Sequence, residues 1–201
     1  MNNSFEATYQ KIKKIAIFAS GSGTNAENIF KYFQLHSFTR VSLIFTNNGN
    51  AGVIKRAENF NIPVIVFNRA DFYQSNKVLN ILKTENVDLI VLAGFLWLIP
   101  ENIIADFKQR IVNIHPALLP KYGGKGMYGN YVHCKVIEMG ERESGITIHY
   151  VNEKYDDGNI IFQTKCKVTQ LDTPESLARK IHELEYLWYP KIIEQIIRGS
   201  L

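Results

Sequence analysis

Lys14-Ile15-Ala16-Ile17-Phe18-Ala19-Ser20-Gly21-Ser22-Gly23-Thr24-Asn25 is the stretch on which the fold turns. Its apolar run is short and closes in a Ser/Gly loop, after which Ile29, Phe30 and Phe33 recur at helical spacing. The order is strand, tight loop, helix. A strand apolar on both faces belongs inside a sheet that is covered on both sides. In the loop, backbone amides and the helix dipole favour a single phosphate. It is not the dinucleotide fingerprint, because Ala26 stands where a third glycine is needed, and no Gly-Lys-Ser/Thr appears. A plain turn that binds nothing is the competing reading of these residues taken alone.

The unit repeats along the chain. Residues 41–45 form a strand before a helix over 51–60, residues 64–67 precede another helix over about 72–85, and 87–92 make a fourth strand ending at Ala93-Gly94. A fifth strand over 111–114 follows, and then the rhythm changes. A Gly-rich loop over 122–130 leads to a helix over 131–139, and residues 145–151 and 160–163 read as an antiparallel strand pair. Thr173 as N-cap and Pro174 in the first turn open a long final helix. The expected fold is α/β: a Rossmann-like open, mostly parallel sheet with helices on both faces and an antiparallel C-terminal strand pair. No repeat, linker or low-complexity segment divides residues 1–201.

The composition suits that fold. Hydrophobic residues are 46% and charged residues 21% of the 201, ordinary values for a folded domain able to bury a core. The formal charge of +4 is mild, with Lys and Arg scattered, which suits small anions better than a nucleic-acid track. Cys134 and Cys166 lack metal spacing and the density of a disulfide scaffold. The start, Met1 to Gln10, is polar and no stretch is long and apolar enough to span a bilayer. The expectation is a cytoplasmic protein with no nucleic-acid or membrane partner.

The fifth strand carries the chemistry. Asn113-Ile114-His115-Pro116 places an amide and an imidazole two positions apart, hence on one face of an extended strand. In open α/β sheets ligands sit at that carboxyl edge. An amide that steadies developing negative charge beside a ring that moves a proton is what acyl transfer needs. Asp156, in Tyr155-Asp156-Asp157-Gly158, supplies a carboxylate that biases the ring's charge. By itself Asp-Asp-Gly is turn chemistry, and a lone strand-ending histidine commonly serves a backbone bond. Glu185, inside the final helix, would ordinarily be a solvated charge. His36, His133, His149 and His182 show no metal-ligand spacing, so no metal is expected, and His149, alternating with apolar residues, reads as structural. No nucleophile elbow occurs, which leaves covalent catalysis without a candidate.

Four strings, Ser20-Gly21-Ser22-Gly23-Thr24-Asn25, Val91-Leu92-Ala93-Gly94-Phe95, Asn113-Ile114-His115-Pro116-Ala117-Leu118-Leu119-Pro120-Lys121-Tyr122 and Asp156-Asp157-Gly158, occur in family order. Over nearly the whole chain from Lys14 the sequence resembles the folate-dependent formyltransferases, in their glycinamide ribonucleotide branch. The resemblance implies a single formyltransferase domain over 1–201, with a phosphate-binding part at about 14–110 and a folate and catalytic part at about 111–201. It implies transfer of a formyl group from 10-formyltetrahydrofolate, a co-substrate, to the amine of glycinamide ribonucleotide in purine biosynthesis, without a metal, by a monomer or homodimer.

By position, Gly23, Thr24 and Asn25 would hold the substrate phosphate and Glu185 its ribose. Leu96, Trp97, Leu98 and Ile99, with Asn152, Glu153, Lys154, Tyr155 and Asp156, would cradle the pterin. Asn113 would donate to the formyl oxygen, His115 would act as acid, and Asp156 would favour the charged imidazole. The amine would attack directly. Two stretches depart from the family pattern: Trp97 stands where an arginine is frequent, and the loop Gly123-Gly124-Lys125-Gly126-Met127-Tyr128-Gly129 is long. Two rivals remain. A deformylase would use water in place of the amine and would bring an extra N-terminal domain, and a phosphate-binding module without catalysis would leave Asn113, His115 and Asp156 without a role.

Overall fold

The strands are β1 (Lys13–Phe18), β2 (Thr39–Thr46), β3 (Val64–Val66), β4 (Leu89–Leu92), β5 (Ile111–His115), β6 (Glu143–Tyr150) and β7 (Ile160–Lys167). In the computed structural model, which describes residues 11–201, they form one seven-stranded sheet in the order β3-β2-β1-β4-β5-β6-β7. The polar start over Met1 to Gln10 lies outside the described residues. Pairings from β3 through β5 are parallel, and β6 and β7 join antiparallel, as the pattern predicts. From β1 the chain winds outward to β2 and β3, then returns to the other side of β1 with β4. That reversal opens a crevice beyond the carboxyl ends of β1 and β4.

Both faces are covered, which the period-two alternation of β1 makes visible. Ile15 and Ile17 pack on one side with α1 (Thr24–Phe33), α2 (Gly52–Glu58), α6 (Asn130–Glu138) and α7 (Pro174–Arg198). Ala16 and Phe18 pack on the other with α3 (Arg69–Tyr73), α4 (Lys77–Thr84) and α5 (Glu101–Asp106). On this second face Phe18 stacks on Phe45 with centroids 4.7 Å apart and meets Phe67, Phe72 and Phe95. Such pairs add about 0.5–1.5 kcal/mol each beyond area burial. The cluster is a rigid floor for the segment that follows Phe95.

Two helical readings are corrected. The helix expected over about 72–85 is two helices, broken at Gln74-Ser75-Asn76. Asn68 and Asp71 form a capping box that starts α3, and the Ser75 hydroxyl donates to the Asp71 carbonyl at 3.0 Å and accepts from the Lys77 amide at 3.3 Å. These local bonds compete with helix continuation. A short helix, α5, also stands between β4 and β5 where none is expected, marked by Pro100 before it and Ile103, Ile104 and Phe107 at helical spacing.

The final helix is fixed at both its start and its interior proline. Thr173 and Ser176 form a capping box with Pro174 in the first turn. Pro190 has no N–H to give to the carbonyl of Tyr186 one turn earlier, and the Asn28 side-chain amide of α1 donates to that carbonyl at 2.8 Å. The buried Tyr189 hydroxyl lies 2.8 Å from the Leu92 carbonyl and 3.2 Å from that of Val112. These bonds hold α7 against the crevice.

Candidate active site

Asn113 and His115 project from the end of β5, and the antiparallel register sets His149 of β6 directly opposite Asn113. The loop after β6 brings Asp156 to the same place. His115 Nδ1 lies 3.4 Å from Asp156 Oδ2, and its Nε2–H donates to the Tyr122 carbonyl at 2.7 Å. Asn113 Nδ2 donates to His149 Nε2 at 3.1 Å and to Asp156 Oδ1 at 3.3 Å. His149 gives its Nδ1–H to the Tyr150 carbonyl at 2.8 Å, which leaves Nε2 as the acceptor and turns the nitrogen of the Asn113 amide toward it. The Gly124 amide donates to Asp156 Oδ2 at 3.0 Å. The loop leading to β5's partner is pinned through Thr147, whose hydroxyl donates to the Ala117 carbonyl and accepts from the Leu119 amide.

Burial and the Asp156 charge act on His115 in opposite directions, the carboxylate favouring the charged ring as expected. Burial pushes His115 below the ordinary imidazole value, and the Asp156 carboxylate and Tyr122 carbonyl oppose that push without overcoming it. The resting ring is neutral. For Asp156 burial works upward, but the neighbouring His149 and His115 rings and the Gly124 amide together bring it below the ordinary carboxylate value. Both His115 nitrogens face oxygen acceptors, so the surroundings are arranged for an imidazolium that desolvation withholds until negative charge arrives nearby.

These groups border a cleft of about 560 Å³ lined by residues 21–25, 92–99, 113–116, 124–129, 151 and 154–156 with His133, His149, His182 and Glu185. At one end is the Gly/Ser loop. Gly23 is the uncapped N-cap of α1 with φ of 76°, so the helix's first amides are open to an anion. Asn25 Nδ2 donates to Glu185 Oε2 at 2.9 Å, and His182 Nδ1 meets the same oxygen at 2.9 Å. Glu185 is 5% exposed, so it is not the solvated charge its helical setting suggests. It raises His182 above the ordinary imidazole value, against burial. His133 is buried too, with Nδ1 unpartnered.

The other end is apolar. Leu96, Trp97, Leu98 and Ile99 form a wall, with Trp97 resting on Phe67 and Phe72 of the aromatic floor. The Arg69 guanidinium lies 5.0 Å from the Trp97 ring, a cation–π contact that brings positive charge to this wall. Lys154, Tyr155 and Asp156 line the cleft, but Asn152 and Glu153 do not. Asn152 accepts from the Lys154 amide and donates to Asp157, while Glu153 borders a separate hollow with Tyr73 and Asn102. Among the described residues, no group of three or more His, Cys, Asp or Glu side chains could hold a metal ion, and no helix is long and apolar enough to cross a membrane.

His149, read as structural, is corrected to a member of the cluster. His133, His182 and the loop 124–129 also line the cleft without having been picked out. Only strand register reveals His149, because its partner Asn113 is 36 residues away.

Gly23 offers a direct test of the anion end. Its φ is unfavourable for any side chain, and a Cβ there would lie 2.5 Å from Val53 Cβ. Gly23→Ala is expected to cost about 2–3 kcal/mol, read as a lower Tm, and to weaken the binding of inorganic phosphate titrated calorimetrically. Unchanged phosphate binding would show that the loop does not face an anion.

A doubly covered α/β sheet that gathers amide, imidazole and carboxylate at its carboxyl edge, between an anion loop and an apolar wall, defines a protein of the acyl-transferring class. Residues 13–193 match the formyl transferase family. The chain is 42% identical to the chloroplastic phosphoribosylglycinamide formyltransferase of Arabidopsis thaliana over 92% of its length, although it spans only 65% of that relative. To the Bacillus subtilis phosphoribosylglycinamide formyltransferase it is 36% identical, covering 92% of this chain and 95% of the other. The crystal structure of the Bacillus halodurans enzyme of that name superimposes with a TM-score of 0.83 at 35% identity, over 94% of this chain and 97% of that one. The chain belongs to the formyl transferase family, in its phosphoribosylglycinamide formyltransferase branch.

Proposed function

We propose that this chain transfers the formyl group of 10-formyltetrahydrofolate to the amine of glycinamide ribonucleotide, as a single formyltransferase domain. The observation that carries the reading is one cleft holding an anion loop at one end, an apolar wall at the other and the Asn113, His115, Asp156 cluster between. A phosphorylated amine and a flat heterocycle placed at those ends would meet at the cluster. Gly23, Thr24 and Asn25 take the phosphate, Glu185 the ribose, and Leu96 to Ile99 with Lys154 and Tyr155 the pterin. Neither Asn152 nor Glu153 keeps a direct part in this reading.

The neutral amine attacks the formyl carbon, forming the new C–N bond as the carbonyl electrons move to oxygen. An Asn113 N–H, which at rest is held by His149 and Asp156 at the border of the cleft, turns to that oxyanion. The developing charge raises the His115 pKa, so the ring takes the proton released by the amine while Asp156 balances the imidazolium. His115 then gives the proton to the folate nitrogen as its bond to the formyl carbon breaks. The products are the formamide and tetrahydrofolate. No acyl-enzyme is needed. Unpaired Cys134 and Cys166 support a reducing, cytoplasmic setting, and the reading extends to a monomer or homodimer.

Formyl transfer followed with and without glycinamide ribonucleotide tests the reading. Loss of formylfolate is expected only when that amine is present, with formamide formed in equal amount. Release of free formate in its absence would identify a deformylase, and no turnover in either condition would leave a binding module.

A further inference from the structure

The loop Gly123 to Gly129 is the part of the cleft wall that the reaction above leaves without a task. Its start is tied to the chemistry, because the Tyr122 carbonyl accepts from His115 and the Gly124 amide donates to Asp156. Its end is Gly129, the N-cap of α6, from which His133 enters the cleft. The loop therefore runs from the catalytic cluster toward the Glu185 and His182 end. Lys125 is exposed at its middle and lines the cleft.

A phosphate dianion at the Gly/Ser loop needs positive charge, and the groups near that end are already committed. Arg56 donates to the Ser22 carbonyl at 2.9 Å and pairs with Glu27. His182 is bonded to the Glu185 carboxylate and offsets its charge. Lys154 pairs with Asp157 at 3.8 Å on the folate side, and Lys121, just before the loop, pairs with Glu141 at 2.9 Å. Lys125 has no acidic partner among the described residues. The glycines on either side of it, Gly124 and Gly126, have φ of 95° and 88° with open space where a Cβ would stand, so this backbone path depends on glycine and presents one long cationic side chain from it.

We propose that Lys125, on the same cleft as the Gly/Ser loop, is the cation that binds the phosphate of the amine substrate. This deepens the proposed reaction and rests on it for the identity of the amine. Lys125 acts on binding and takes no part in proton transfer.

The test uses the full chain with Lys125→Met and Lys125→Arg. With glycinamide ribonucleotide, Lys125→Met is expected to raise KM about ten- to a hundredfold, the range of a charge-assisted bond to an ion, with kcat and the folate KM unchanged. Lys125→Arg recovers most of that loss. The non-phosphorylated riboside of the same amine is used equally well by the native chain and by Lys125→Met. Ribose 5-phosphate, titrated calorimetrically, probes the contact without any formyl transfer and binds the Met variant about tenfold or more weakly. An unchanged KM, an equal loss with the riboside, or full retention of ribose 5-phosphate affinity overturns the proposal. A native chain that fails to formylate glycinamide ribonucleotide, yet binds ribose 5-phosphate through Lys125, overturns the proposed reaction and leaves this contact standing.

Discussion

His115→Ala is expected to lower kcat by about 10²–10⁴-fold, the contribution of a positioned proton carrier, while KM for both substrates changes little. The ring contacts Asp156 and the Tyr122 carbonyl, and it borders the cleft between the anion loop and the apolar wall. Removing it leaves no side chain to carry the proton from the amine to the folate nitrogen. Because His115 is only 3% exposed, the variant also loses packing, so its Tm should be read alongside kcat to show that the folded fraction is unchanged.

The pH profile carries the same prediction in a second form. Burial sets the folded pKa of His115 below its ordinary 6.5, so the neutral ring persists below that pH. The acid limb of kcat/KM should therefore lie below 6.5 and should vanish in His115→Ala. The linkage to stability has the same sign. Between the folded and unfolded pKa values the unfolded chain binds more protons, so the stability tied to the neutral ring is complete above the unfolded value and is lost as pH falls through the folded one. An alanine variant with native turnover, or one that keeps the acid limb, would remove His115 from the mechanism.

Asp156→Asn is the second large effect, with kcat expected to fall about 10²–10³-fold, at the lower end of the general acid–base range and above the usual loss of an orienting partner. The substitution preserves shape, and asparagine tolerates the φ of 53° at this position. What disappears is charge. The carboxylate meets His115 Nδ1 at 3.4 Å and His149 Nε2 at 3.6 Å, accepts from Asn113, and accepts from Gly124. Its loss removes the partner of the imidazolium that forms during transfer. Since Asp156 is what holds His115 up against burial, the acid limb should also move to lower pH. Retained kcat with an unmoved limb would mean that Asp156 only shapes its loop.

Asn113 and His115 could be paired from spacing alone, because a strand puts i and i+2 on one face whatever surrounds it. Asp156 could be joined to them only by resemblance, since 43 residues separate it from Asn113. His149 looked like a packing residue because its neighbours in β6 are apolar, and nothing local records that β6 runs antiparallel to β5 in the register that sets it against Asn113. Glu185 likewise looked solvated until α7 was laid against α1, where Asn25 and His182 share one of its oxygens. The broken helix at Gln74 to Asn76 shows the reverse case, in which short-range side-chain bonds overrode an apolar period that favoured continuation.

Apolar periodicity, the Ser/Gly loop after β1 and the cap at Thr173 were enough to set the α/β class, the sense of most strands and the edge where chemistry occurs. These signals are local: each depends on backbone geometry within a few residues, which the chain carries wherever it goes. The charge state of His115, the burial of Glu185, the recruitment of His149 and the cleft-facing path of the loop around Lys125 were decided by packing alone. Desolvation and cross-strand register depend on groups distant in the chain, and no reading of neighbours along it contains them.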